Sequence, residues 1–453
     1  MSTRSRIRRS ALALAIGAIV AVANPALAED AAQAALESRV AELEQQVQAL
    51  VAELRASRAA TPAATPAAVP AVPVVAAAPP IQATSITPNA APGTKFLVTG
   101  FVKLDALASS YGDGEIADGS IGRDFYVPST IPVGGESEDI DLDAHIKQSR
   151  LIVGTDSTTE AGDRISSRLE FDLYGSALGD ERATNTYGLQ VRQAYVSYNQ
   201  WLAGQTWSNF QDVNALPEAV DYIGPTDGTV FVRQPQVRYS AGGWTLSLEN
   251  PETTITPYGG GARISSDDNS MPDATARYTW TRGWGYLSGA LLGRQLKYET
   301  TAGADPFDDS AYALAATLSG KFLLPGGDDI RFAITGGQGI GRYVALNFAN
   351  DAVLDADGAL DAIDGIAGYA AWRHVFSPTL RGNLMASASS YDNVAALTGG
   401  AANAASYAVA GNLYWTILPK LDLGIEYRHA QREIENGDDG TLDRLQFTTK
   451  YSF

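Results

Sequence analysis

Hydrophobic and polar positions alternate strictly through the last residues of the chain. Counting back from Phe453, one parity reads Phe453, Tyr451, Thr449, Phe447 and Leu445, and the other Ser452, Lys450, Thr448, Gln446 and Arg444. Successive side chains of a strand point to opposite faces, so one face suits hydrocarbon and the other suits water and carries positive charge. The same period of two recurs from about Lys95 and predicts sixteen strands: 95–108, 144–154, 163–174, 188–198, 201–208, 229–240, 243–250, 273–281, 284–298, 310–322, 329–342, 366–374, 379–391, 404–417, 421–432 and 441–453. Tight connections such as Asn199-Gln200, Ala241-Gly242 and Arg282-Gly283 alternate with long ones such as 109–143, 209–228 and 343–365. That asymmetry predicts an all-β transmembrane β-barrel of about 16 antiparallel strands, and an even count puts both barrel ends beside the short turns. A soluble propeller or β-helix would need a blade-length repeat, which the chain lacks.

Parity then sorts the walls. Ile165, Leu169, Phe171 and Leu173 face out, leaving Arg164, Arg168, Glu170 and Asp172 inside; Tyr278 and Trp280 face out, leaving Arg277 inside. Likewise Arg331 lies opposite Ile330 and Phe332, and Arg428, Asp422 and Glu426 lie opposite Leu423, Ile425 and Tyr427. The same counting turns Lys103, Arg150, Arg238, Arg373, Arg381, Arg444 and Lys450 inward. Arg192 and Arg294 sit in strands that alternate poorly. A charge on the lipid face costs roughly 2–4 kcal/mol at the midplane, which forces these assignments. About half of the inward bases are expected to pair with Glu170, Asp172, Glu249, Asp422 or Glu426, and the remainder to set the field of the pore.

Three segments precede the barrel. Residues 1–28 combine Arg4, Arg6, Arg8 and Arg9, an apolar run and Ala26-Leu27-Ala28, the layout of a cleaved secretory signal. Within 29–58, Leu36, Val40, Leu43, Val47, Leu50 and Leu54 follow the a/d spacing of a coiled-coil helix, an oligomerisation seam. Val at a with Leu at d leans by itself towards a parallel dimer. Residues 59–94 are Ala/Pro-rich and predict an extended spacer of roughly 3 Å per residue. Barrel 95–453 completes the chain, and the helix is expected in the periplasm.

The formal charge of −18 argues against nucleic-acid partners, and an exported chain without cysteine must be held by packing or barrel closure. The acids cluster in the long loops, for example Glu136, Glu138, Asp139, Asp141 and Asp143, or Asp351, Asp355, Asp357, Asp361 and Asp364. These loops are expected to be solvated and bridged to lipopolysaccharide by divalent ions; structural Ca²⁺ or Mg²⁺ is conceivable there, and no other cofactor is expected. Loop 209–228 differs, carrying apolar residues that an exposed loop has no reason to hold. As the third long loop it is expected to fold into the lumen, as in general porins, with Asp212, Glu218 and Asp221 facing basic wall residues across a constriction. His145, His374 and His429 are expected at strand ends, and no nucleophile–base pattern points to catalysis.

The chain resembles the DcaP-like family of trimeric outer-membrane porins. The resemblance rests on the coiled-coil segment, the Ala/Pro spacer and three barrel stretches. These are Gly100-Phe101-Val102-Lys103-Leu104-Asp105-Ala106, Gln148-Ser149-Arg150-Leu151, and Arg192-Gln193-Ala194-Tyr195-Val196-Ser197-Tyr198 continuing to Gly204-Gln205-Thr206-Trp207-Ser208. It implies a sixteen-stranded barrel in the bacterial outer membrane, a homotrimer, a periplasmic helix and uptake of small anions, dicarboxylates especially. The basic lumen agrees independently. Two other readings compete: a general or sugar porin in which bases and acids cancel, and an envelope-tethering protein whose barrel is only an anchor.

Overall fold

The computed structural model describes residues 93–175, 185–300 and 307–453. The expected signal segment, the helix and nearly all of the spacer lie outside the described residues. Sixteen antiparallel strands close into one barrel. They are Lys95–Tyr111, a second strand in two pieces (Asp141–His145 and Arg150–Thr158), Arg164–Gly175, Gly188–Tyr198, Trp201–Trp207, Arg233–Ala241, Trp244–Glu249 and Asp273–Arg282. Gly285–Thr300, Phe307–Leu323, Asp329–Gln338, Asp364–Ser377, Leu380–Asp392, Asn403–Leu418, Leu421–Ile434 and Asp439–Ser452 follow. Among the described residues no helix is long and apolar enough to cross a membrane; the strands do the crossing.

Closure joins the first strand to the last, in register from Phe101↔Ser452 to Tyr111↔Leu442. Gly100 and Phe453 exchange main-chain hydrogen bonds at 3.4 and 3.0 Å, so both barrel ends meet beside the short turns. A Cβ on Gly100 would lie 2.0 Å from the Arg150 carbonyl, so the approach of the first two strands requires glycine there. The alternation holds: Phe447, Tyr451 and Phe453 are exposed on the outer surface, while Arg444, Gln446 and Thr448 are buried inside. Val102, Leu104, Leu246, Leu248, Leu314 and Ile425 stand out in the same way, an apolar belt that water would penalise and lipid would not.

Two of the barrel's β-bulges bear on which side chains reach the lumen. Between Glu170↔Gln193 and Phe171↔Val191 the partner strand advances by one extra residue, Arg192. Arg192 and Gln193 are therefore both buried, whereas Leu189 and Val191 before them and Val196 and Tyr198 after them are exposed. The poor alternation of that strand is this bulge. The second bulge separates the two pieces of the second strand, where the pairing with the first strand shifts by one residue across 146–149. The Ser149 hydroxyl patches the gap, accepting from the Lys103 main-chain N–H at 3.0 Å and donating to its carbonyl at 3.2 Å.

The long loops depart most from expectation. Segment 343–365 is a core element: Tyr343, Val344, Phe348, Val353 and Ile363 pack with Phe210, Val230, Leu292 and Ile340 in the largest hydrophobic cluster. Thr253–Thr256, Ile264–Ser266, Ala352–Leu354 and Leu360–Ala362 form a separate four-stranded sheet within the loops. Asp351 is thus not solvated; it is buried and lies 2.9 Å from Arg294, whose Nε lies 3.5 Å from Asp273. Asp141 and Asp143 hold Arg123 at 3.2 and 3.1 Å, whereas Glu136, Glu138 and Asp139 are exposed. Apolar content, not acidity, decided where these loops went. Among the described residues no three His, Cys, Asp or Glu converge as metal ligands.

Arg294→Met leaves Asp273 and Asp351 buried without that base, and removing one partner of such a network costs about 3–5 kcal/mol. Thermal unfolding in detergent micelles should show a clear loss of stability for this variant; an unchanged midpoint would show that the buried cluster contributes nothing.

Candidate functional site

Loop 209–228 enters the lumen and lies along its wall. A segment inside a barrel has no strand to pair with, so side chains must satisfy its main chain. Arg277 donates to the Asn209 carbonyl at 2.7 Å, Arg331 to Leu216 at 2.5 Å and Lys103 to Val220 at 2.6 Å. Asn412 and the Tyr414 hydroxyl serve the Glu218 and Ala219 carbonyls at 3.0 and 2.7 Å. Tyr222 then reaches back, its hydroxyl donating to Asp172 at 2.8 Å and its ring packing on Phe125 and Tyr174.

The three loop acids touch the wall directly and do not face it across an opening. Asp212 accepts from Ser319 at 2.7 Å and lies 3.9 Å from Arg277. Glu218 takes Arg381 in a two-pronged pair at 2.6 and 2.7 Å. Asp221 accepts from the Tyr126 main-chain N–H at 3.0 Å and lies 3.8 Å from Arg428. Much of the loop-facing wall is spent on holding the loop.

Eight of the eleven expected wall bases lie within 4.0 Å of a carboxylate, more than the half anticipated: Lys103, Arg150, Arg168, Arg277, Arg331, Arg373, Arg381 and Arg428. Arg238, Arg444 and Lys450 complete the set. Arg444 is buried against Ser109 (2.8 Å), the Tyr111 hydroxyl (3.0 Å) and the Gly122 carbonyl (2.6 Å). Arg238 donates to Gln236 and the Trp207 carbonyl at 2.9 and 2.5 Å, and Lys450 lies 4.7 Å from the centre of the Phe101 ring. Glu249, an expected partner, instead accepts from the Asn209 main chain, Gln234 and Ser247.

Pairing does not mean neutrality, because carboxylates are shared. Glu170 holds Arg150 at 3.3 Å, Arg168 at 2.7 Å and Arg192 at 2.8 Å, and Asp172 joins Arg192 at 2.7 Å. Asp329 holds Arg331 at 2.6 Å, Lys321 at 3.6 Å and Arg373 at 3.8 Å. The acids sit at the back: Glu170 and Asp329 are 2–3% exposed, while Arg168 is 34%, Lys321 27% and Arg150 22% exposed. Lumen water therefore meets cations at both foci. Lys321, outside the expected set, faces inward because Tyr312, Leu314, Leu318 and Phe322 hold the outward parity of its strand. Arg192 was hidden by the bulge.

The three histidines are spoken for by near neighbours. His145 ends the first piece of the second strand and meets the Asp124 carbonyl at 2.8 Å. His374 meets Asp328 at 2.7 Å, and His429, in mid-strand and not at an end, meets Asp443 at 2.9 Å.

A family model described as DcaP outer membrane protein matches residues 20–453. The chain belongs to that family. Among solved structures, the outer membrane channel DcaP of Acinetobacter baumannii superposes on this DcaP-family barrel with a TM-score of 0.65 at 23% identity, covering 80% of this chain and 99% of that one. The anion-selective porin from Comamonas acidovorans gives 0.50 at 12% identity, with 80% and 100% covered. No curated protein matches by sequence. This DcaP-family protein is accordingly an outer-membrane channel with an inward-folded third loop.

Glu218→Gln breaks the two-pronged contact with Arg381, weakening the loop's anchorage by roughly 2 kcal/mol. Single-channel recordings of this variant should show more frequent current flicker than the wild type. Equally quiet traces would mean that the carbonyl contacts alone hold the loop.

Proposed function

We propose that this protein is a passive, homotrimeric channel for small anionic solutes, dicarboxylates in particular. The observation that carries the proposal is the sharing of Glu170 and of Asp329 among three bases each, with the acids buried and every base except Arg192 partly exposed. A unit charge 4 Å from such a base gains about 4 kcal/mol near a protein surface, much of it offset by desolvation. Weak attraction at more than one site draws an anion in without trapping it, as conduction requires. The Asp329 focus stands at the short-turn mouth, since its strand begins directly after the turn at 324–328, and the Glu170 focus lies deeper along its strand. An anion would meet them in succession. The reading invokes no catalytic group and no cofactor. The trimer and the periplasmic helix follow from the resemblance to trimeric porins, and a fold of this kind serves as an anion-selective porin in Comamonas acidovorans.

Reversal potentials in planar bilayers under a KCl gradient test the selectivity. Chloride should be preferred, and Arg168→Glu combined with Lys321→Glu should move the potential towards potassium. A clear potassium preference in the wild-type channel would overturn the proposal.

A further inference from the structure

The long-loop end holds a cavity of about 320 Å³, apart from the lumen foci. Its wall comes from loop residues 256–263, 348–350 and 393–402, the start of the strand Asn403–Leu418, and Arg432 near the far end of Leu421–Ile434. Two of these loops close on each other through glycine: Gly259 donates its main-chain N–H to the Leu397 carbonyl at 2.6 Å. A Cβ on Gly399, at φ +73°, would lie 2.6 Å from the Gly259 carbonyl, so the seam is bare backbone by necessity.

The charged residues lining this cavity are Arg263 and Arg432; no lining residue is acidic. Each guanidinium is fixed by neutral acceptors. Arg263 donates to the Asn350 side-chain oxygen and the Asn347 carbonyl, both at 2.6 Å. Arg432 donates to the Asn403 side-chain oxygen at 2.8 Å and the Ile131 carbonyl at 2.7 Å. The asparagines are themselves locked, Asn350 to Thr256 at 2.8 Å and Asn403 to the Phe348 carbonyl at 2.5 Å. The acids nearby have other duties: Asp351 holds Arg294 at 2.9 Å, and Glu435 accepts from Asn393 at 3.1 Å. Neutral acceptors orient a guanidinium without cancelling its charge, and each fork has five N–H donors of which these contacts use two. This differs from the lumen foci, where buried carboxylates take part of the positive field.

We infer that this cavity is a capture site for a small dicarboxylate at the outer mouth, one carboxylate for each of Arg263 and Arg432. The inference rests on the anion-channel reading and adds where the solute is first held. A solute from outside is oriented by two preset forks, enters the lumen and is passed to the shared-carboxylate foci. Because Phe348 is the one large apolar side chain in a lining otherwise made of polar groups, alanine and glycine, the anion keeps part of its water and leaves readily.

The test uses the full-length protein in planar bilayers, with succinate added to one side at a time over a KCl background. Succinate from the long-loop side should cause brief current blockades, and Arg263→Gln with Arg432→Gln should weaken that block about tenfold while block from the short-turn side and chloride preference persist. If that variant fails to insert, Arg263→Lys with Arg432→Lys keeps the charge but loses the fork, and should still weaken block from the long-loop side. No succinate block from that side in the wild type, or block unchanged in the variants, overturns the capture site while leaving the channel reading intact. Potassium preference in the wild type would instead overturn the channel reading itself.

Discussion

The interior of this molecule depends on a closed ladder of main-chain hydrogen bonds. Within a bilayer no water is available to an unpaired amide, so the sheet must return to its first strand, and it does so along Phe101–Tyr111 and Leu442–Ser452. Once closed, each strand has one face committed to hydrocarbon and one to the lumen. The lumen then receives the bases of the inward parity, whereas Asp443 and His429, 2.9 Å apart, stand on the outward one. Arginines that would be surface residues elsewhere are gathered into a confined space, and the chain must manage their mutual repulsion.

It manages them in two ways. On the side covered by loop 209–228, bases are spent on structure: Lys103, Arg277 and Arg331 donate to loop carbonyls, and Arg381 is balanced by Glu218 and Asp422. Elsewhere, one deep carboxylate serves several bases and lowers their repulsion without matching their number. The loop's placement and the field thus have a common origin in the same wall bases, and Arg331 serves both, donating to the Leu216 carbonyl while sharing Asp329. At the long-loop end a third solution appears, guanidinium groups held by asparagine and main-chain oxygens alone.

How far the sequence could be read follows from the range of the interactions involved. Period-two alternation is local, so the sixteen strands and the outward Phe447–Tyr451 face were legible from the chain. The apolar residues of 209–228 likewise betrayed a loop that folds inward. Asp351 was not legible: its acid-rich surroundings suggested water, but its fate was decided by Arg294, more than fifty residues away, and by the hydrophobic residues around it. Carboxylate sharing was invisible for a related reason. Parity says that Glu170, Arg150 and Arg168 face inward, but only the register between strands says that they meet. Arg192 failed the parity count because an extra residue shifts the count.

That extra residue changes how such pores can vary. A substitution on the lumen face exchanges one side chain for another, but a one-residue bulge adds a side chain to the lumen while leaving the lipid-facing series on both sides in place. Arg192 and Gln193 occupy adjacent inward positions where a regular strand offers one. Across the 146–149 irregularity, His145 and Gln148, of opposite parity, are likewise both buried. Pore charge in a barrel of this kind can therefore evolve by insertion within a strand as well as by replacement. Relatives compared column by column would then show the difference as a gap in a membrane-spanning segment, where gaps are usually dismissed.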